Sequence, residues 1–235
     1  MNAFDMIVNF FKQGGAFLYP IAAVFAVGLG FAVERFIYLH RVAKGNRRLW
    51  AELAPLIKTG NFRKAMELAE KTDSALSTVM RYGMSRISTA HRREDIEKAM
   101  EESLIEVIPH LEKRTHYLAT LANVGMLMGL LGTVIGLINA FAAVAAVNPA
   151  EKAAMLSASI SVAMNNTALG LGLAITLLLC HMYLETKTTE LVDSLEVASI
   201  KFLNSITERR QAVAEPASAA TSARVTEKIL GAARA

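Results

Sequence analysis

The chain has 235 residues, 53% of them hydrophobic and 20% charged, with a mean hydropathy of +0.35; this is too apolar for a soluble globular domain and too charged for a protein embedded in lipid throughout. Its formal charge of +4 does not point to nucleic acid, because Lys and Arg concentrate between Arg41 and Arg114 instead of forming one basic stripe. The single cysteine, Cys180, excludes an intrachain disulfide or a cysteine metal site and reads as a small packing residue.

In chain order, residues 1–12 read as an interfacial helix, with Phe4, Ile7, Val8 and Phe11 on its apolar side and Asn2, Asp5 and Lys12 on polar sides. This end lacks a basic n-region and a small-residue cleavage site, so the first hydrophobic segment is expected to stay in the protein. Gly14 and Gly15 break the helix. Residues 13–39 form transmembrane helix 1, uncharged from Gln13 to Val33 and closed by Glu34, Arg35 and the aromatic pair Phe36 and Tyr38.

Residues 40–115 change character and read as a cytoplasmic helical loop punctuated by Pro55 and Gly60. Apolar residues recur there at helical spacing: Ala65, Leu68 and Ala69, then Val79, Met80, Gly83, Met84 and Ile87. Asn61 opens a small helical hairpin, and the charged amphipathic stretch from Arg93 to His110 is expected to continue into the second span.

Transmembrane helix 2 covers 116–147, a periplasmic turn covers 148–152 around Asn148 and Pro149, and transmembrane helix 3 covers 153–184. His116 to Ala150 contains no Lys, Arg, Asp or Glu, and neither does Ala153 to Leu184. Each stretch exceeds the ~20 residues that cross a bilayer, so both helices should project beyond it. A cytoplasmic helical stalk follows over 185–210, with Leu191, Leu195, Ala198 and Phe202 on one face toward the loop helices. Residues 211–235 are expected to be a flexible C-terminal tail, rich in Ala, Ser and Thr around Pro216, with a short helix from Arg224 to Arg234. About fifteen basic residues lie between spans one and two, about seven after span three, and almost none elsewhere. This count places the N-terminus in the periplasm and the C-terminus in the cytoplasm.

The chain is therefore expected to be an all-α membrane protein with three transmembrane helices, the second and third long and extending into the cytoplasm, and a helical cytoplasmic domain. Gly125, Gly129, Gly132, Thr133, Gly136 and Ala140 follow at three- and four-residue steps, giving span two a narrow face for close helix packing. Ala163, Asn166, Thr167, Gly170 and Ala174 do the same in span three. A threonine can bond its own backbone, whereas the amides of Asn165 and Asn166 need partners or water. The polar group therefore marks either an interhelical network or a hydrated path.

These residues resemble the ExbB, TolQ and MotA family of ion-driven inner-membrane motor proteins, the ExbB/TolQ branch most closely. The resemblance runs from Tyr19-Pro20 and Glu34-Arg35 through Tyr117–Asn123, the run Gly129-Leu-Leu-Gly-Thr-Val-Ile-Gly136, Asn139–Phe141 and Thr167–Leu171. Three places differ: Gly125-Met126 where ExbB relatives usually have Ala-Pro, Thr176 where Pro is common, and Val162 where ExbB has a glutamate. What the resemblance implies is a homopentamer whose second and third spans line a pore around two copies of a single-span ExbD/TolR-like partner. In the family the partner's membrane Asp carries the ion, and the threonines matching Thr133 and Thr167 face it. The implied function is that of a proton-channel, stator-type subunit in the bacterial inner membrane, with no cofactor beyond the proton-motive force and H+ preferred to Na+. It would drive a TonB/TolA-like or other envelope effector. The sequence agrees in supplying no carboxylate within either long span.

A structural membrane scaffold, or a divergent gliding-motility motor subunit, is the alternative. No Walker-type phosphate loop appears, and His110, His116 and His181 lack metal spacing, so enzyme chemistry is not expected.

Overall fold

The computed structural model describes residues 15–87, 90, 92–145 and 148–232, with side chains described as far as Arg209. The interfacial helix expected over residues 1–12 lies outside the described residues. Six helices follow one another with no strand among the described residues: α1 Leu18–Thr59, α2 Phe62–Lys71, α3 Ala75–Arg86, α4 Arg93–Glu112, α5 Thr115–Ala145 and α6 Lys152–Ala232. Three stretches of helix, in α1, in α5 and in α6, are long and apolar enough to cross a membrane. The chain is an all-α integral membrane protein.

Two compact units divide the chain. One comprises residues up to Leu39 together with Glu112–Thr188, and the other His40–Leu111 together with the residues from Thr189 onward. In the first unit, α5 and α6 form an antiparallel hairpin and the start of α1 packs against both of them. A Cβ at Gly28 would lie 2.7 Å from Leu177, and a Cβ at Gly132 3.1 Å from Phe17, so small residues let the three helices approach closely. From Phe17 to Arg35 is about 27 Å of chain at helical rise, close to the ~30 Å of a hydrocarbon core. Beyond Gly132, α5 runs thirteen residues further to Ala145, or about 20 Å past the start of α1.

At its other end α5 begins abruptly. The sequence leads one to expect α4 to continue into the span, but Lys113 and Arg114 form a turn in which Arg114 takes φ 68°. A left-handed backbone costs a non-glycine residue about 1–2 kcal/mol. Two consecutive residues of α1 hold this turn. The Arg114 guanidinium pairs with the Glu34 carboxylate, and Arg35 Nε donates to Thr115 Oγ1 at 3.2 Å. Arg35 is only 4% exposed and lies 4.9 Å from the ring centre of Tyr38, so its charge is held in place without reaching water. Glu34-Arg35 is thus part of the packing, more than the end marker that the sequence suggests.

In the second unit α1 passes through Pro55 without stopping and ends at Gly60, whose φ is +72°. Gly60 N–H donates to Ile57 O at 3.0 Å and Asn61 N–H to Leu56 O at 2.9 Å, the paired bonds of a Schellman motif. Burial of Leu49, Leu53 and Ile57 keeps the turn around Pro55 helical, although one backbone bond is lost there. Asn61 caps α2 by accepting from Lys64 N–H at 3.4 Å. Ser74 and Ser77 form a capping box on α3. Asn46, from α1, adds its Oδ1 to Leu76 N–H at 3.2 Å. Asn46→Ala should therefore lower the stability of this unit by about 1–2 kcal/mol, read by urea unfolding in detergent. An unchanged midpoint would mean that the Ser74 cap suffices alone.

The stalk face reads as expected. Leu191, Leu195, Ala198 and Phe202 are all buried, and Phe202 meets Phe62 edge-on at 6.4 Å between ring centres. Helix α6 then continues to Ala232, through residues expected to be a flexible tail. The physical reason lies in Ala212, Ala214, Ala217, Ala219, Ala220 and Ala223, since alanine has the highest helix propensity of any residue.

Candidate functional site: the polar level of the α5–α6 hairpin

The small residues of both spans face each other within one chain. A Cβ at Gly170 would lie 2.8 Å from Gly129 Cα and 2.9 Å from Gly125 O, so the two backbones touch with no side chain between them. A Cβ at Gly129 would meet Gly170 Cα at 3.0 Å and Asn166 O at 3.1 Å, and one at Gly136 would meet Ala163 Cβ at 2.8 Å. Gly125 is buried, but its own Cβ direction is open, and it contributes to the seam through its carbonyl. Read from sequence, these faces could equally have met neighbouring subunits. The structure pairs them with each other.

Such close approach brings polar groups of the two helices to one level. Thr167 Oγ1 donates across the seam to Gly129 O at 3.0 Å. Thr133 Oγ1 donates within its own helix to Leu130 O at 2.6 Å. Both threonines are half-buried. Asn166 is 2% exposed, with its Cβ 2.9 Å and its Nδ2 3.2 Å from a Cβ built at Gly132, and its Oδ1 finds no donor among the described residues. A buried amide oxygen without a donor costs about 1–3 kcal/mol. Asn165, next to it, is half-buried. Of the four polar residues read from sequence, then, Asn166 and Thr167 lie in the seam itself, while Thr133 and Asn165 stand at its margins.

Phe17 covers the same point from the side of α1, at Gly132. Sequence reasoning missed this contact, because a single aromatic residue near the start of an apolar span carries no periodic signal. Among the described residues no group of three or more His, Cys, Asp and Glu gathers in metal-binding geometry. The long uncharged faces of α5 and α6 present Thr133 and Thr167 at the level of the closest helix contact, with no carboxylate in either stretch.

Comparison with known proteins agrees with this picture. The model of the MotA/TolQ/ExbB proton channel family matches residues 71–197, more than half of the chain. A protein of Methanothermobacter thermautotrophicus (strain Delta H), named a biopolymer transport protein ExbB homolog, is 28% identical over 198 residues, which is 84% of this chain and 69% of that protein.

Proposed function

Because the chain belongs to the MotA/TolQ/ExbB proton channel family, we propose that it is the channel-wall subunit of a membrane motor whose proton carrier is supplied by another protein. The observation that carries this reading is the pairing of two polar residues, Thr133 and Thr167, with long spans that contain no ionisable carboxylate. An ExbD/TolR-like single-span partner with a membrane Asp would complete the site. Two copies of it would sit in a homopentamer of this chain in the bacterial inner membrane, with the C-terminus and the charged helical unit in the cytoplasm. Transfer of one charge through 100 mV releases about 2.3 kcal/mol, so a few protons per cycle can drive a TonB/TolA-like or other envelope effector without a nucleotide. H+ rather than Na+ is the proposed ion.

A scaffold reading has one observation of its own: Thr167 and Asn166 both pack inside the chain. Proton uptake by vesicles separates the two. This chain alone should conduct little, the complex with its partner should conduct, and the complex with the partner's Asp changed to Asn should return to the level of the chain alone. Thr133→Val and Thr167→Val should lower flux through the complex without dispersing it. Equal flux from all three preparations would sink the motor reading, and loss of assembly in the valine variants would favour the scaffold.

A further inference from the structure

Two helix faces of the second unit carry matching patterns and do not meet each other. On α1, Arg41, Lys44, Gly45, Arg48 and Glu52 follow at helical steps on one side, and all but the half-buried Gly45 are exposed. On α4, Lys98, Glu102, Ile105, Glu106 and Pro109 do the same, all of them exposed. Four basic residues and no acid lie between Arg41 and Arg48, whereas six acids and one Lys lie between Glu94 and Glu106. Like charges one turn apart, Lys44 with Arg48 and Glu102 with Glu106, repel within each face. Arg48 pairs with Glu52 along α1 at 3.5 Å, and Glu106 accepts from Tyr82 Oη at 3.3 Å. Among the described residues no ion pair joins one face to the other within a chain. Nothing lies within 4 Å of a Cβ at Gly45, a notch in the basic face, and Ile105 stands 73% exposed in the acidic one.

The two patterns run in opposite directions. Helix α1 enters this unit at His40 and α4 leaves it at Leu111, each at the end where it joins the first unit. Counted from those residues at helical rise, Gly45 lies about 8 Å in and Ile105 about 9 Å. Laid antiparallel at this register, Ile105 falls on Gly45, Glu106 on Lys44, Glu102 on Arg48, Lys98 on Glu52 and Pro109 on Arg41. We infer that the two faces form a head-to-tail interface between copies of this chain. Helix α4 of one copy lies along α1 of the next, with Ile105 in the notch at Gly45 and opposite charges on both sides of it. The contact presupposes the homopentamer proposed above and adds which surfaces of the charged helical unit close it. A face that meets a different face leaves both partners with a free half, so the contact passes from copy to copy until a ring closes. Exposed ion pairs hold little alone, but Ile105 seated at Gly45 would exclude water from those beside it. An anionic membrane surface would answer α1 only and leave Ile105 and the acids of α4 without a counterpart.

The test is cross-linking of the full-length chain in nanodiscs of neutral lipid. After Cys180→Ser, Arg41→Cys and Pro109→Cys are placed in one chain and treated with a short bis-maleimide. A ladder from dimer up to pentamer is expected. Copies carrying Arg41→Cys alone, co-expressed with copies carrying Pro109→Cys alone, should stop at the dimer, and neither kind should cross-link by itself. Lys44→Glu with Arg48→Glu should lower the yield at least about fivefold, as should Glu102→Lys with Glu106→Lys, and all four changes together should restore it. Gly45→Leu fills the notch without meeting its own chain and should lower the yield likewise, which keeps the test decisive if a charge variant fails to fold. Cross-links confined to one chain, dimers from either single-cysteine copy, or a yield indifferent to these changes overturn the inference. So does loss of binding to phosphatidylglycerol vesicles in the Lys44→Glu, Arg48→Glu variant at unchanged yield, which would assign the basic face to the membrane. Native mass spectrometry of the same samples tells the two levels apart. A pentamer without the ladder overturns this interface alone, and monomers throughout overturn the homopentamer and the interface with it.

Discussion

Gly170→Leu should destabilise the α5–α6 hairpin by more than about 3 kcal/mol, above the usual range for an overpacked core, because what lies 2.8–2.9 Å from the new Cβ is backbone and cannot turn aside. Gly172→Leu, two residues further on, is the control. Nothing in the chain lies within 4 Å of a Cβ there, and the site is exposed. Thermal unfolding followed by circular dichroism in detergent should show a lower midpoint for the first variant and an unchanged one for the second. Similar midpoints for both variants would mean that the seam between the spans does not govern the hairpin.

The second large effect is expected far from the polar level. Phe202 is fully buried, with Phe62 edge-on to its ring, and its Cε1 lies 2.9 Å from a Cβ built at Gly83, where Met100 also converges. Phe202→Ala removes the side chain on which three helices meet and should cost about 3–5 kcal/mol. Phe202→Leu, which keeps much of the volume, should cost less than half as much. Both can be read from denaturant midpoints of the purified protein. A Phe202→Ala loss below about 1 kcal/mol would show that the cavity refills from neighbouring side chains.

Much of this fold was legible in the sequence because membrane spans and amphipathic helices announce themselves by periodicity. The spacing of Leu191, Leu195, Ala198 and Phe202 identified a buried face, and the glycine steps in spans two and three identified surfaces of close approach. What the glycines would approach was not legible, since a small residue fits a neighbouring subunit as well as a neighbouring helix. The turn at Arg114 was also hidden. No glycine marks it, and the side chains that hold it, Glu34 and Arg35, lie about eighty residues earlier. Thr167 was singled out for its hydroxyl, but its acceptor, a backbone carbonyl on the other span, has no signature in any one-dimensional pattern. The helix over 211–223 shows the opposite case, in which alanine content outweighed a composition that otherwise reads as a tail.

The contact between Gly129 and Gly170 also bears on how force can pass through the molecule. Backbone lies 2.8–2.9 Å from a Cβ built at Gly170 and 3.0–3.1 Å from one built at Gly129, so no larger side chain enters the seam and the two helices are held together along their closest contact. The hairpin over these residues is therefore a single stiff stave whose two strands bend and tilt together. A movement of this unit that spares the seam would carry α5 and α6 together.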